Sequence, residues 1–428
     1  MANFTSLNGI SCDNVTSVNG VTKSSVNNVN TLETCSGHNP GPSMSRLYTG
    51  FNESGVSFAP VANLGDSVSA LRTIFETNSY DIKGGSNVTI HKIAYGKDGS
   101  GNPLIILLTS ADTKSLYRVT PAQVAAKTTA TEISFNGDSQ IKQNNVAYGN
   151  GVWISVGNLG ETVKNIFRST DGTTWDPVAI TSLPSMPTGA GKKIYALTTD
   201  GAGKWWFGID ANPTVVGSTS YIYCSTDDGQ NWSLHHTLTT SDIYRLTYTN
   251  DTLVATYNYA PGDGSGGRSA ISAAGSATSG ASNWGTPVFL AEGGLRTNDM
   301  IAKSHGPDTV DDGLAKRIAS GGGRVVACDT HNAILLIVNG KTITVSGART
   351  AIASSYVETK ITGVATDGEG NWYIAGGTSG NEASIAKNTN NADPSSWAIL
   401  TNNISPSSGT GVGNDQAFSI AVDRYLPV

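Results

Sequence analysis

Charge is what this 428-residue chain has least of. Asp, Glu, Lys and Arg make up 14% of it, against about a quarter in ordinary globular domains. The net charge is −6 at neutral pH and no basic stripe runs through the sequence, so a nucleic-acid partner is not expected. There are four cysteines, Cys12, Cys35, Cys224 and Cys328. None stands at metal-ligand spacing from another, so no thiolate metal site and no cofactor is implied. Cys224 and Cys328 sit in apolar runs and read as small buried side chains. A Cys12–Cys35 disulfide is not expected of a chain folded in a cytoplasm. No segment approaches the ~18 apolar residues of a membrane span, so no membrane insertion is expected. The opening Met-Ala-Asn-Phe-Thr lacks the basic start and apolar core of a secretion signal, which points to synthesis in a cytoplasm without export by that route. Helical periodicity is scarce, and only residues 67–76 read as helix.

What the chain does carry is an eight-residue phrase ending in Trp. The full copy is Ser225-Thr226-Asp227-Asp228-Gly229-Gln230-Asn231-Trp232, and a shortened one is Ser169-Thr170-Asp171-Gly172-Thr173-Thr174-Trp175. Weaker echoes end at Trp284 and Trp397, and a degraded one runs from Glu53 to Phe58. The Trp positions lie 57, 52 and 113 residues apart, the last gap being about two of the others. A period of this length means stacked supersecondary units such as propeller blades. The phrase has a mechanical role. Ser and Asp side chains accept hydrogen bonds from nearby backbone N–H groups and close a tight turn. Gly229 supplies a backbone shape that other residues resist, and the Trp buries its ring against the neighbouring unit. The phrase resembles the Asp-box (BNR) repeat, S-x-D-x-G-x-x-W, of sialidase-like β-propellers. Only 225–232 matches it in full. The resemblance implies a structural role for Ser169, Asp171 and Trp175, and for Ser225, Asp227, Gly229 and Trp232.

A second signature recurs with the same period: a Gly-rich turn between two apolar runs, the pattern of a β-hairpin. Examples are Gly149-Asn150-Gly151, Asp200-Gly201-Ala202-Gly203 and Asp367-Gly368-Glu369-Gly370, with Ser320–Gly323 and Asp98–Asn102 in the same slot. These turns are expected between the first and second strands of each unit, and the Asp-box turns between the third and fourth. Blades then fall at 88–136, 144–182, 192–239, 241–290, 314–348 and 360–400. A further blade is expected from both termini, with strands at 418–422 and 425–428 joined by 46–51 and 56–61. Such a closure protects sheet edges. The expected fold is therefore all-β: a seven-bladed β-propeller of four-stranded antiparallel blades over residues 45–428, the last blade closed by both termini.

Residues 1–44 form a different object, an extended N-terminal arm. Leu7-Asn8-Gly9-Ile10 returns as Val18-Asn19-Gly20-Val21 and as Val29-Asn30-Thr31-Leu32, a period of eleven, with Val15 and Val26 in the same frame. Regularly spaced Val, Ile and Leu are not what a solvated tail carries. The segment is too short to bury a core by itself, so a docking arm that orders against a partner by strand addition is expected. The repeated phrase resembles N-terminal segments of marine bacteriophage virion proteins, which implies other virion proteins as partners of residues 1–44, with self-association as a second route. Cys35 to Ser45 reads as a linker.

Function is sought in the long loops of the ring: 63–87, 181–191, 210–220, 257–268, 291–313 and 401–416. Arg72, Tyr257, Tyr259, Asp263, Arg268 and Arg296 stand in them as candidate ligand-binding residues, with Tyr80, His305, Asp308, Asp311 and Asp312 nearby. A sialidase would need three Arg for a sugar carboxylate, an Asp and a Glu-activated Tyr. The Arg-Ile-Pro signature of that family is absent, and Arg317-Ile318-Ala319 lacks its Pro, so no catalytic residue is assigned. Asp308 to Gly313 is denser in carboxylates than its surroundings but lacks EF-hand spacing, and reads as a solvated acidic loop. Tyr257-Asn258-Tyr259 could offer a sugar platform or pack as ordinary aromatics. Gly264-Ser265-Gly266-Gly267 is not followed by Lys-Ser/Thr and makes no phosphate loop. The expected function is a non-enzymatic structural protein of a bacteriophage virion, a tail or capsid-surface component whose loop face contacts host glycans. Two other classes stay open: a sialidase-like glycoside hydrolase or carbohydrate-binding module, and a cellular protein–protein scaffold.

Overall fold

A computed structural model of the chain describes residues 6–7, 10–11, 17–18, 21–22, 46–51, 55–82, 89–109, 115–136, 143–159, 166–180, 192–210, 219–239, 241–259, 268–273, 284–286, 288–289, 317–321, 323–328, 332–345, 350–351, 360–368, 370–377, 383–389, 397–404 and 417–423. The chain divides into two compact units, Met1–Ser43 and Met44–Val428.

In the first unit Ser6–Leu7 pairs antiparallel with Ile10–Ser11, and Ser17–Val18 with Val21–Thr22. Leu7 is the register partner of Ile10, and Val18 of Val21. Asn8-Gly9 and Asn19-Gly20 intervene, the dipeptide that two-residue hairpin connections favour. The period of eleven is thus a period of hairpins. The third copy, at residues 29–32, lies outside the described residues, as do Val15, Val26 and the linker.

The second unit is an all-β propeller built of antiparallel meanders. Its first sheet runs Ile90–Lys97, Pro103–Thr109, Leu116–Val119 and Thr131–Glu132. Others are Ser241–Thr249 to Val288–Phe289, Arg317–Gly321 to Thr350–Ala351, and Lys360–Thr366 to Trp397–Ile404. The first strand of each unit touches the first strand of the next, and Ala417–Val422 touches Ile90–Lys97, so the ring closes on itself.

The expectation of seven separate blades is corrected: among the described residues the propeller consists of six sheets. The stretches 144–182 and 192–239 are expected as two blades. They form one eight-stranded sheet, because Val152–Leu159 runs on past its partner Ile166–Ser169 and pairs through Asn158 and Leu159 with Lys193 and Lys192. The sheet that joins the termini also differs from expectation. Its order is Ala417–Val422, Arg46–Phe51, Gly55–Pro60, Tyr80–Asp81. One strand comes from the C-terminal end and three from the N-terminal end. Residues 425–428 lie outside the described residues. The degraded phrase from Glu53 to Phe58 joins the second and third strands of this sheet, whereas both better copies join the third and fourth. Antiparallel order puts those two turns at opposite ends of a sheet, so it is not a further copy.

The helix expected at 67–76 is α1, Val68–Asn78. Ser67 caps it, its hydroxyl accepting from Ala70 N at 3.3 Å, and Leu71 and Phe75 bury fully against Tyr373, Leu400 and Ile404 of the preceding sheet. A second, short helix, α2 (Pro121–Ala125), was not expected. Its signal is local: Thr120 caps, Pro121 starts and Gln123 bonds back to Thr120 N, a capping box.

The core lies between successive units. Trp175 is fully buried, its ring 5.9 Å edge-on from Phe135 of the preceding unit. Trp284 stacks on His236 at 4.8 Å, and Trp397 buries with Val326 and Cys328. Gly96 marks how closely the sheets approach: a Cβ there would lie 2.4 Å from the Tyr148 ring and 2.7 Å from Trp153.

Candidate functional site

Two ends of the ring carry different chemistry. At one end lie the turns between third and fourth strands. Ser225 Oγ accepts from Gly229 N (2.9 Å) and donates to Asp227 Oδ1 (2.8 Å). The Asp227 carboxylate also accepts from Asn231 N (2.9 Å) and from Asn231 Nδ2 (2.7 Å), and Trp232 Nε1 closes on Gly229 O (3.0 Å). Gly229 sits at φ +77°, and a Cβ there would strike Ile154 of the preceding unit. The shorter copy repeats the device: Gly172 N donates to Ser169 Oγ, and Thr173 N and Thr174 N both donate to Asp171 Oδ1 at 2.7 Å. The turns between first and second strands share this end. Asn150 Nδ2 donates to Asp228 Oδ1 (2.9 Å) and Arg168 Nε to Asp228 O (2.9 Å), which clips one unit to the next. Burial works to raise the pKa of Asp227, but the Asn231 N–H groups and the Ser225 hydroxyl outweigh it and hold the carboxyl below its usual value. These charges hold the turns.

The other end holds the loops between second and third strands and the links from unit to unit. The first strand of each unit enters from there, and six of these strands carry a register shift within their first four residues. The extra residues are His91, Asn144, Tyr195, Tyr244, Thr362 and Phe418. A bulge of this kind breaks the alternation of a strand and re-aims its side chains. The sequence shows why it forms. Ile90 and Ile93 are both buried, as are Ile194 and Leu197, and Ile243 and Leu246. Residues three apart cannot share one face of a regular strand; one extra residue between them lets both reach the core.

Directly after the bulge stand Lys92, Asn145 and Arg245, at equivalent register positions on three first strands. Lys92 Nζ donates to Asn145 Oδ1 of the next unit at 2.7 Å. Asn145 Oδ1 also accepts from its neighbour Val146 N (2.9 Å). Lys92 is half-buried. Desolvation, and then the nearby Arg245 charge, bring its pKa down to about 7. Its one hydrogen-bond partner among the described residues is a neutral amide. The arrangement brings two cationic side chains, Lys92 and Arg245, to equivalent register positions of two first strands.

Of the residues expected to bind ligand, those that are described are spread over two strands of one sheet and the helix α1. Arg72 lies half-buried on α1, in the connection between third and fourth strands of the closing sheet. Tyr257 is not on a loop: Thr252–Tyr259 is a strand, and the Tyr257 ring is buried among Ile243, Leu246 and Leu253. That burial removes it from any sugar platform. Tyr259 and Arg268 are register partners on adjacent strands. Asp263, Arg296, His305, Asp308, Asp311 and Asp312 lie outside the described residues. Tyr80 is buried in the closing sheet. His235 occupies a register shift opposite Ile222 and Tyr223, so strict alternation does not separate it from His236. Among the described residues, no cluster of three metal-ligating side chains occurs and no helix is long and apolar enough to cross a membrane. Cys224 and Cys328 are free and buried.

Charge in long loops does not lead to Lys92, which stands in a strand. The readable signal was an apolar pair three apart in a first strand, with a polar or charged residue just before the second.

No protein-family model matches the chain, and no curated protein matches it. Among solved structures it is similar to YCF48 bound to D1 peptide, at 14% identity and TM-score 0.43 over 73% of this chain and 82% of that one. It is also similar to the Aleuria aurantia lectin in complex with Fucα1-6GlcNAc, at 14% identity and TM-score 0.38 over 76% and 95%. A third is the WD40 domain of Neurospora crassa Pan2, at 11% identity and TM-score 0.42 over 72% and 78%. At such values nothing is carried over from these proteins, and the propeller is argued from the sheets.

Proposed function

We propose that the chain is a non-enzymatic recognition protein of the Asp-box kind. In this reading it is a virion appendage or capsid-surface component, made in a host cytoplasm. Residues 1–44 anchor it to other virion proteins, and the loop face of the propeller meets host surface glycans. The observation that carries the proposal is the hairpin period in the arm. A pair of two-residue strands buries too little to be stable alone and leaves backbone edges that a partner strand can extend. Repetition every eleven residues gives several such edges in series. The propeller supplies the complement, a rigid ring that presents loops on one end.

Light scattering on the full chain and on residues 45–428 tests this reading. Assembly of the full chain with a monomeric 45–428 ring is expected. Two monomers of equal thermal stability would remove the arm from any role in self-assembly, and failure of the full chain to associate with purified virions would then overturn the reading.

A further inference from the structure

We propose that the seam between the strand Ser233–Leu238 and Trp284 is an acid-sensitive latch: a proton taken up by the His235–His236 pair breaks the stack of His236 on Trp284 and loosens one unit of the ring from the next. The inference stands apart from the virion and glycan readings and uses neither.

Three observations support it. The first is placement. Ser233–Leu238 is the outermost strand of its sheet, with a register shift at His235 between the pairs Ile222–His236 and Tyr223–Leu234. A bulge re-aims a side chain out of strict alternation, so two histidines adjacent in sequence act at one seam. Ile222, the register partner of His236, is buried in a core shared with the next unit, together with Leu246 and Leu253.

The second is contact. The His236 ring stacks on Trp284, with centroids 4.8 Å apart and planes 18° from parallel. Trp284 packs against that same core from the next unit. The stack is thus a joint between two units and not a contact within one.

The third is what the seam does not offer a proton. His236 Nδ1, His235 Nε2 and Trp284 Nε1 are buried and have no hydrogen-bond partner among the described residues. An imidazolium donates from both ring nitrogens, and Nδ1 of His236 finds no acceptor. The titratable groups of the adjoining core are Cys224 on the neighbouring strand and Tyr248 and Tyr257 on the first two strands of the next unit. A thiol and two phenols carry no charge at mildly acid pH. Tyr221 and Tyr223, on the same neighbouring strand, pack into the opposite core. Among the described residues no carboxylate acts on either histidine. Burial, and then the charge of His235, bring the His236 pKa down to about 4, and burial lowers that of His235. Unfolded, each ring takes its proton near about pH 6.5. The stability that the neutral pair supplies is therefore complete above that value and is lost as pH falls towards the folded one. Attraction of an imidazolium to the Trp284 face works against the release; repulsion from His235 and the unmatched Nδ1 donor work for it.

The test is hydrogen exchange on the full chain at pH 7 and pH 5, corrected for intrinsic rates and read at residues 233–238 and 284–286. Exchange there should quicken about fivefold at the lower pH, while residues 153–156 of the buried strand Val152–Leu159 stay unchanged. His236→Phe keeps a ring to stack and takes no proton, so it should abolish the change. Should that variant fail to fold, the proton titration of His236 in the wild type by NMR decides. A midpoint below the unfolded value of about 6.5 upholds the latch. A midpoint at or above that value overturns it, because the stacked ring would then favour its charge. Equal quickening in His236→Phe, or none in the wild type, would overturn it as well.

Discussion

Asp227 and Lys92 are both charged side chains held by a ring that has few of them, and their surroundings treat them in opposite ways. Asp227 lies at the turn end and accepts from Asn231 N, Asn231 Nδ2 and Ser225 Oγ at 2.7–2.9 Å. Its charged form is the favoured one. Lys92 lies at the mouth of the axis against a neutral amide and a second cation, and its charged form is disfavoured. Structure accounts for Asp227 completely. It does not account for Lys92, which the fold would hold more easily as a neutral side chain.

Four substitutions would break or sharpen that contrast. The largest effect is expected at Trp175, which is fully buried against Phe135 and is the end of a turn phrase. Trp175→Ala should lose about 3–5 kcal/mol in denaturant unfolding. A loss under about 1 kcal/mol would mean that the turn end does not hold the ring. Next comes Asp227→Ala, which leaves Asn231 N and the Ser225 hydroxyl without their acceptor and should cost about 2 kcal/mol at pH 7. The sign with pH follows from the direction of the shift. A carboxyl held below its unfolded value of about 3.9 stabilises fully above that value, and the contribution disappears as pH falls through the folded value. The gap between wild type and Asp227→Ala should therefore close on acidification below about pH 4 in a melting series. A gap that stays constant down to pH 2 would deny that the carboxylate charge matters.

Lys92→Met should have the opposite sign. Its pKa in the folded protein is lowered to about 7, so between about pH 7 and pH 10.4 the unfolded chain binds more protons and wild-type stability climbs with pH. Below pH 7 both states are charged and the full penalty stands. The variant should gain about 1–2 kcal/mol there, after allowance for water along the axis, and the gain should shrink as pH is raised. A variant less stable than wild type at every pH would place Lys92 with the mechanical charges. The smallest effect is expected at Asn150, an exposed clip to Asp228. Asn150→Gly, which suits the left-handed backbone at φ +51° and removes the clip, should change the melting midpoint by an amount worth at most about 0.5 kcal/mol, and a larger drop would show that the inter-unit clips, and not the buried rings, carry the ring.

The turn end was legible in the sequence and the axis was not, for a physical reason. A turn locks through residues adjacent in sequence, so Ser225, Asp227, Gly229 and Trp232 announce their geometry in one phrase. The Gly-rich hairpins and the helix capped by Ser67 are local in the same sense. The join of residues 143–177 and 192–238 into one sheet depends on how far Val152–Leu159 extends, which no local pattern fixes. The fourth strand of the closing sheet, Tyr80–Asp81, is two residues long and follows a helix, so it leaves no alternation to read. Lys92, Asn145 and Arg245 meet only because three units bring one register step to a common axis, and residues 92 and 245 look alike only once the bulge is seen.

The most direct test of the contrast is a pair of melting series across pH on wild type, Asp227→Ala and Lys92→Met. The account predicts opposite behaviour: the deficit of Asp227→Ala closes on the acid side, and the gain of Lys92→Met shrinks on the alkaline side. A Lys92→Met variant that is less stable than wild type by the same amount at every pH would mean that the Lys92 charge is as well held as that of Asp227, and the distinction between the two ends of the ring would fall.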